Sequence, residues 1–150
     1  MIRHTRNFGC EQRIGSNTLY TRREYGMSKG EKQWIIPDAY IPPVSSGELT
    51  SHESVCVLNL SDQDVVITVH AYFEDRDPLL GMETIVPAQR TKHIRTSSLA
   101  AEDGEGIPSG VPYAMEVTSS APVFVQYSRL DSTQAENALM SVMAYPVSTI

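Results

Sequence analysis

Cysteine is scarce in this chain, with only Cys10 and Cys56 among 150 residues. Cys56 sits in the apolar run Val55-Cys-Val-Leu58, where a thiol behaves as a small hydrophobe, so no disulfide is expected. No CxxC spacing and no compact group of histidine and cysteine occurs, which removes a structural zinc site. Long hydrophobic runs are missing too. No window nears the ~18 apolar residues of a membrane helix, and no signal-like apolar stretch follows the N-terminal arginines, so a cytoplasmic protein is expected. Catalytic signatures are also lacking: there is no GxSxG, no HExxH, no glycine-rich phosphate loop and no cysteine beside an activating base. Neither an enzyme nor a cofactor nor a metal is expected. The acidic turn Glu74-Asp-Arg-Asp-Pro78 lacks the glycine and the distal glutamate of a calcium loop. Asp131 and Glu136 have glycosidase-type chemistry, but nothing in the sequence sets their separation.

Basic charge is scarce where a nucleic-acid binder would need it. Residues 1–26 hold five arginines against two glutamates, whereas residues 27–150 hold seven basic and sixteen acidic side chains. An acidic body repels a phosphate backbone, which leaves Arg90, Lys92 and Arg95 as the one candidate patch. The same residues suit an exposed strand whose charges discourage edge pairing.

What is present has the pattern of a single β domain. Residues 1–32 carry scattered arginines and glycines with no periodicity, and read as a flexible extension. Met27-Ser-Lys-Gly-Glu-Lys32 resembles a protein start, so residues upstream of Met27 need not be native. Residues 33–150 form short apolar segments between turn residues, the spacing of antiparallel strands. Pro37 and the pair Pro42-Pro43 predict that the entry segment lies at an edge or rim. Residues 54–60 are apolar at nearly every position, which predicts a strand covered on both faces. Residues 65–73 alternate cleanly. Residues 83–86 and 90–95 flank Pro87-Ala-Gln89 and predict a hairpin. Residues 97–112 predict a long functional loop. Residues 113–118 and 122–129 predict two further strands, residues 140–145 a last one, and only Asp131 to Met140 competes as a short helix. The fold class is all-β: an antiparallel sandwich of jelly-roll or immunoglobulin-like kind, with at most one helical turn.

The polar residues concentrate between residues 126 and 140. Arg129, Asp131, Gln134, Glu136 and Asn137 supply a guanidinium fork, two carboxylates and two amides, enough to bind a hydroxylated or charged small molecule. An ion pair between Arg129 and Asp131 or Glu136 is the plainer use. His52 and Glu53 are neighbours, but adjacent strand residues face opposite ways and would not act on one atom. Trp34, followed by Tyr40, offers an aromatic platform for a sugar ring or simply core burial. His93 shares a face with Thr91 and Arg95, either a pocket wall or an assembly surface.

Four blocks in order, Ile41-Pro-Pro43, Ser51-His-Glu-Ser-Val-Cys-Val-Leu-Asn59, Pro87-Ala-Gln-Arg-Thr-Lys-His-Ile-Arg95 and Gln126 to Leu139, resemble the sensory rhodopsin transducer family over residues 33–146. The resemblance implies a soluble β-sandwich that assembles as a homotetramer. It implies two kinds of partner: the cytoplasmic face of a retinal-containing membrane photoreceptor, and a sugar or similar small ligand, with DNA as a further candidate. It therefore implies a non-catalytic signalling or ligand-recognition module, with a sugar-metabolism sensor as the alternative. Ligand-contact residues on this reading are Trp34, His52, Glu53, His93, Arg129, Asp131, Gln134, Glu136 and Asn137. Fold likeness alone does not choose between the partners.

Overall fold

The structure, a computed structural model, describes residues 30–134 and 138–148. The strands are β1 (Glu31–Tyr40), β2 (His52–Asn59), β3 (Val65–Phe73), β4 (Leu79–Val86), β5 (Arg90–Arg95), β6 (Pro112–Asp131), β7 (Ala138–Met143) and β8 (Tyr145–Pro146). A single 3₁₀ turn, Thr96–Ser98, is the only helical element among the described residues. All pairings are antiparallel. The chain folds as a β-sandwich, with one layer ordered β4-β3-β6-β1-β8 and the other made of β5, β2, β6 and β7.

Strand β6 belongs to both layers. Its first part lies between β1 and β3, and its second part, from Phe124 onward, lies between β2 and β7. The two strands expected here are thus one strand of 20 residues. Pro122 has no N–H to give to a ladder, and it sits where β6 passes from one layer to the other. Ser119 and Ser120 hold the bend: the Ser119 hydroxyl donates to the Ala121 carbonyl at 2.8 Å, and Ser120 Oγ accepts from Val66 N–H. Gly30 is required at this crossing, since a Cβ there would lie 2.3 Å from the Val123 carbonyl oxygen.

The core is the inner side of both layers. Val65, Ile67, Val69 and Ala71 of β3, Val55 and Val57 of β2, and Val117, Val123, Val125 and Tyr127 of β6 are all fully buried. The alternation expected for β3 is therefore the one found. Strand β2 differs from its expectation: Cys56 is half-buried and Leu58 exposed, so its apolar outer face is not covered within one chain.

Two local expectations are corrected, and a third holds in part. Residues 83–86 and 90–95 do not pair as a hairpin; β4 pairs with β3 and β5 with β2, so the connection is an arch between the layers. Buried Asn59 secures that arch, with its amide nitrogen within reach of the carbonyls of Gln63, Val86 and Pro87, while Gln89 takes the left-handed φ of 53° that turns the chain. The Asp131–Met140 helix is not found at the described residues of that segment, 131–134 and 138–140: Asp131 Oδ1 accepts from the N–H and hydroxyl of Thr133, and Ala138 to Met140 pair with β6. Strand ladders compete with helix propensity here, and the ladder wins. Finally, the edge expected for the entry segment holds in part: β8 flanks β1 only at Trp34 and Ile35, whereas from Ile36 onward β1 has β6 as its one strand neighbour among the described residues, and Pro37 sits where the register slips between Ile36 and Ala39.

Candidate functional site

At one end of the sandwich the last residues of β1 and β6 and the first of β2 and β7 converge. Two charged side chains there face each other in register: Glu53 on β2 and Arg129 on β6. They do not form an ion pair, because each is directed elsewhere.

Glu53 is only 1% exposed. Its Oε2 accepts from the Tyr127 hydroxyl at 2.5 Å and from Tyr40 N–H at 2.8 Å, and its Oε1 accepts from the Thr96 hydroxyl at 2.7 Å. Three donors from three elements thus satisfy a buried carboxylate, which joins the layers and anchors the 3₁₀ turn. Burial first, and then the bond to Glu53, push the Tyr127 phenol far above its ordinary value. Such a hydroxyl remains a donor throughout the physiological range.

Arg129 is half-buried. Its guanidinium lies 5.9 Å from the centroid of the Tyr40 ring, a cation–π contact. Among the described residues it has no carboxylate partner, the one ion pair being Arg76–Asp75. Arg129 instead lines an open cavity of about 520 Å³ together with Tyr40, Pro42, Asp131, Gln134 and Met140. Asp131 is occupied by Thr133 and, at 3.3 Å, by Gln134 Nε2. The Thr133 hydroxyl and N–H, followed by Gln134 and the Arg129 charge, hold the Asp131 carboxyl below the usual range. Behind this cavity the loop after β1 is tied to the end of β6: buried Ser51 and Ser132 share a hydroxyl contact at 2.9 Å, and Ser132 Oγ accepts from Ser46 N–H.

The structure brings together Arg129, Asp131 and Gln134, but not the rest of the expected set. Trp34 is 4% exposed in the core, its indole N–H donating to the Glu31 carbonyl. Glu53 lies under the cavity rather than in it. His52 is half-buried on the outer side of β2, opposite Leu130, its Nδ1 2.8 Å from the Thr50 carbonyl. His93 lies on the outer face of β5 beside Cys56 and lines a different cavity, of about 430 Å³, with Leu58, Phe124 and Met143. Glu136 and Asn137 fall outside the described residues. Arg90, Lys92 and Arg95 are not gathered on one surface: Lys92 reaches across to Thr84 and the Ile85 carbonyl, while Arg95 is on the opposite face of β5. Tyr127 and Thr96, which complete the Glu53 network, were not singled out from sequence. Tyr127 follows Val123 and Val125 on the inward alternation, a signal that it points to the core.

No group of three or more potential ligands that could hold a metal occurs among the described residues. No helix among them is long and apolar enough to cross a membrane.

Fold and site together define a small β-sandwich with a polar pocket at one end and a satisfied, buried carboxylate beneath it. The chain belongs to the Anabaena sensory rhodopsin transducer family, whose model matches residues 29–146. Solved structures similar to the chain include these two. One, Thermotoga maritima 1070, is 34% identical with a TM-score of 0.69, over 79% of this chain and 97% of its own. The other, the Anabaena sensory rhodopsin transducer, is 38% identical with a TM-score of 0.61, over 69% of this chain and 99% of its own. No curated protein sequence matches the chain.

Proposed function

We propose that this protein is a non-catalytic signalling module that recognises a small hydroxylated or anionic ligand, of sugar or sugar-acid type, at the Arg129 cavity. The observation that carries this reading is the guanidinium of Arg129, half-buried, 5.9 Å from the centroid of the Tyr40 ring and in no ion pair among the described residues. A guanidinium in that state is matched best by a carboxylate or phosphate, which it can bind through two parallel N–H bonds. Tyr40 and Pro42 offer an apolar wall for a ring, and Gln134 a polar group at the rim.

The module works as a homotetramer in this reading, and the outer face of the β5-β2-β6-β7 layer is its assembly surface. That face carries Leu58, Phe124 and Met143 with Cys56, Gln126 and His93, and its register brings no carboxylate to it, although the chain has eighteen. Apart from Arg95 at one end, the face is free of charge around its exposed apolar side chains, the mark of an interface core. Similarity to the Anabaena transducer favours a retinal-containing membrane receptor as the partner that receives or delivers the signal, from the cytoplasmic side.

Isothermal titration with a panel of neutral sugars, sugar acids and sugar phosphates tests the ligand reading. An anionic sugar is expected to bind the wild type and to lose at least about tenfold in affinity with Arg129→Ala. Binding unaffected by that change would refute the site. Sedimentation of Phe124→Glu is expected to show smaller species, and an unchanged tetramer would refute the assembly surface.

A further inference from the structure

The Arg129 cavity carries a second charge that its ligand must also satisfy. Arg129 and Asp131 are two residues apart on β6, so their side chains leave the same face of the strand, and both line the cavity. Opposite charges so placed would ordinarily close on each other. These two do not: no ion pair joins them among the described residues. Each is held by other neighbours. The Arg129 guanidinium lies against Tyr40, 5.9 Å from the ring centroid, while Asp131 Oδ1 accepts from the N–H and the hydroxyl of Thr133 at 2.9 and 2.6 Å. Those two bonds fix the carboxylate and leave Oδ2 with only the long 3.3 Å contact from Gln134 Nε2. Asp131 also keeps its charge, because the Thr133 bonds foremost, and the Arg129 charge to a smaller extent, hold its carboxyl below the usual range.

Among the described lining residues these are the only charged side chains, one of each sign. A purely anionic ligand meets attraction at Arg129 and repulsion at Asp131, and a purely cationic one meets the reverse. Only a ligand with both charges is attracted at both ends. Two residues of strand separate the Arg129 and Asp131 backbones by roughly 6–7 Å, about the span between opposite substituents of a hexose ring. The cavity volume of about 520 Å³ is within the roughly 300–1,000 Å³ of small-molecule sites. We propose that the cavity selects a zwitterionic ligand, an amino sugar that also bears a carboxylate or phosphate, with its acid group on the Arg129 guanidinium and its ammonium on Asp131 Oδ2. Resting on the Arg129 cavity as the ligand site, this selection makes Asp131 the residue that discriminates an amino sugar from the corresponding hydroxy sugar.

Glucosamine 6-phosphate, glucose 6-phosphate and N-acetylglucosamine 6-phosphate share a ring and a phosphate, and only the first carries a positive charge. Titrated into the full chain at mildly acidic pH, where the amine holds its proton, glucosamine 6-phosphate is expected to bind at least about tenfold more tightly than the other two. Asp131→Asn keeps an oxygen for Thr133 and removes the charge. It should weaken glucosamine 6-phosphate about tenfold and leave glucose 6-phosphate within about twofold or slightly tighter. A structural role of Asp131 would instead weaken all three alike. Arg129→Ala should weaken all three. Equal binding of the three by the wild type, or an equal loss for all three with Asp131→Asn, would overturn the selection while leaving the Arg129 site standing. If none of the three binds the wild type, the Arg129 site itself falls, and the selection falls with it.

Discussion

Glu53 and Arg129 are cross-strand neighbours of opposite charge, yet the molecule uses them in opposite ways. Glu53 is surrounded by the donors of Tyr127, Thr96 and Tyr40 and has no contact left to offer. Arg129 has an aromatic ring beside it and an open cavity before it, and forms no ion pair among the described residues, although Asp131 lines the same cavity. A buried charge whose bonds are all made within the chain holds structure together; a half-buried charge without a partner is available to something else. The difference lies in surroundings rather than residue type, because a simple Glu53–Arg129 pair would have neutralised both.

The comparison breaks most visibly at Glu53. Replacing it with alanine leaves three donors without their acceptor, and is expected to cost about 3 kcal/mol or more in urea unfolding. A loss below about 0.5 kcal/mol would place Glu53 outside the scaffold. Tyr127→Phe should cost less, about 1–3 kcal/mol, since Glu53 keeps its other two donors.

That variant also separates the two regions by pH. The folded Tyr127 phenol holds its proton more tightly than the unfolded one, because of burial and then the Glu53 bond. Its contribution is therefore fully present below about pH 10 and is lost as pH rises further. Thermal unfolding between neutral and strongly alkaline pH should fall more steeply for wild type than for Tyr127→Phe. Parallel curves would remove Tyr127 from this role.

A smaller effect is expected at the pocket rim. The Asp131 carboxyl is held low by Thr133, so the turn it supports should loosen only as pH falls into the carboxylate range. Amide exchange of Thr133 should rise there, with a small loss of stability as pH falls through the lowered Asp131 titration, and Asp131→Asn should remove most of that local pH dependence.

Much of the frame was legible from sequence because it rests on period-2 alternation, which residues 65–73 and 123–127 display openly. The arch between β4 and β5 was not, since Pro87-Ala-Gln89 has the composition of a hairpin turn, and the bonds that shape the arch, such as that from Asn59 to the Val86 carbonyl 27 residues on, join residues distant in sequence. The continuity of β6 was hidden by Pro122, a residue that ordinarily divides strands. In the candidate site, the grouping of Arg129, Asp131 and Gln134 followed from their closeness in the chain. Local spacing could not reveal that Glu53 turns inward to Tyr127, because that partnership spans 74 residues and depends on register. Nor could it show that His93 lies on the outer face of β5, whereas core burial of Trp34 was one of the two readings its residue type offered.

Arg129→Ala, measured for stability and ligand affinity on the same preparation, tests the central contrast most directly. The expected result is a change in unfolding free energy within about 0.5 kcal/mol, with an intact tetramer and binding of the anionic sugar weakened at least about tenfold. A variant that unfolds or dissociates as readily as Glu53→Ala, or that binds as well as wild type, would contradict the account.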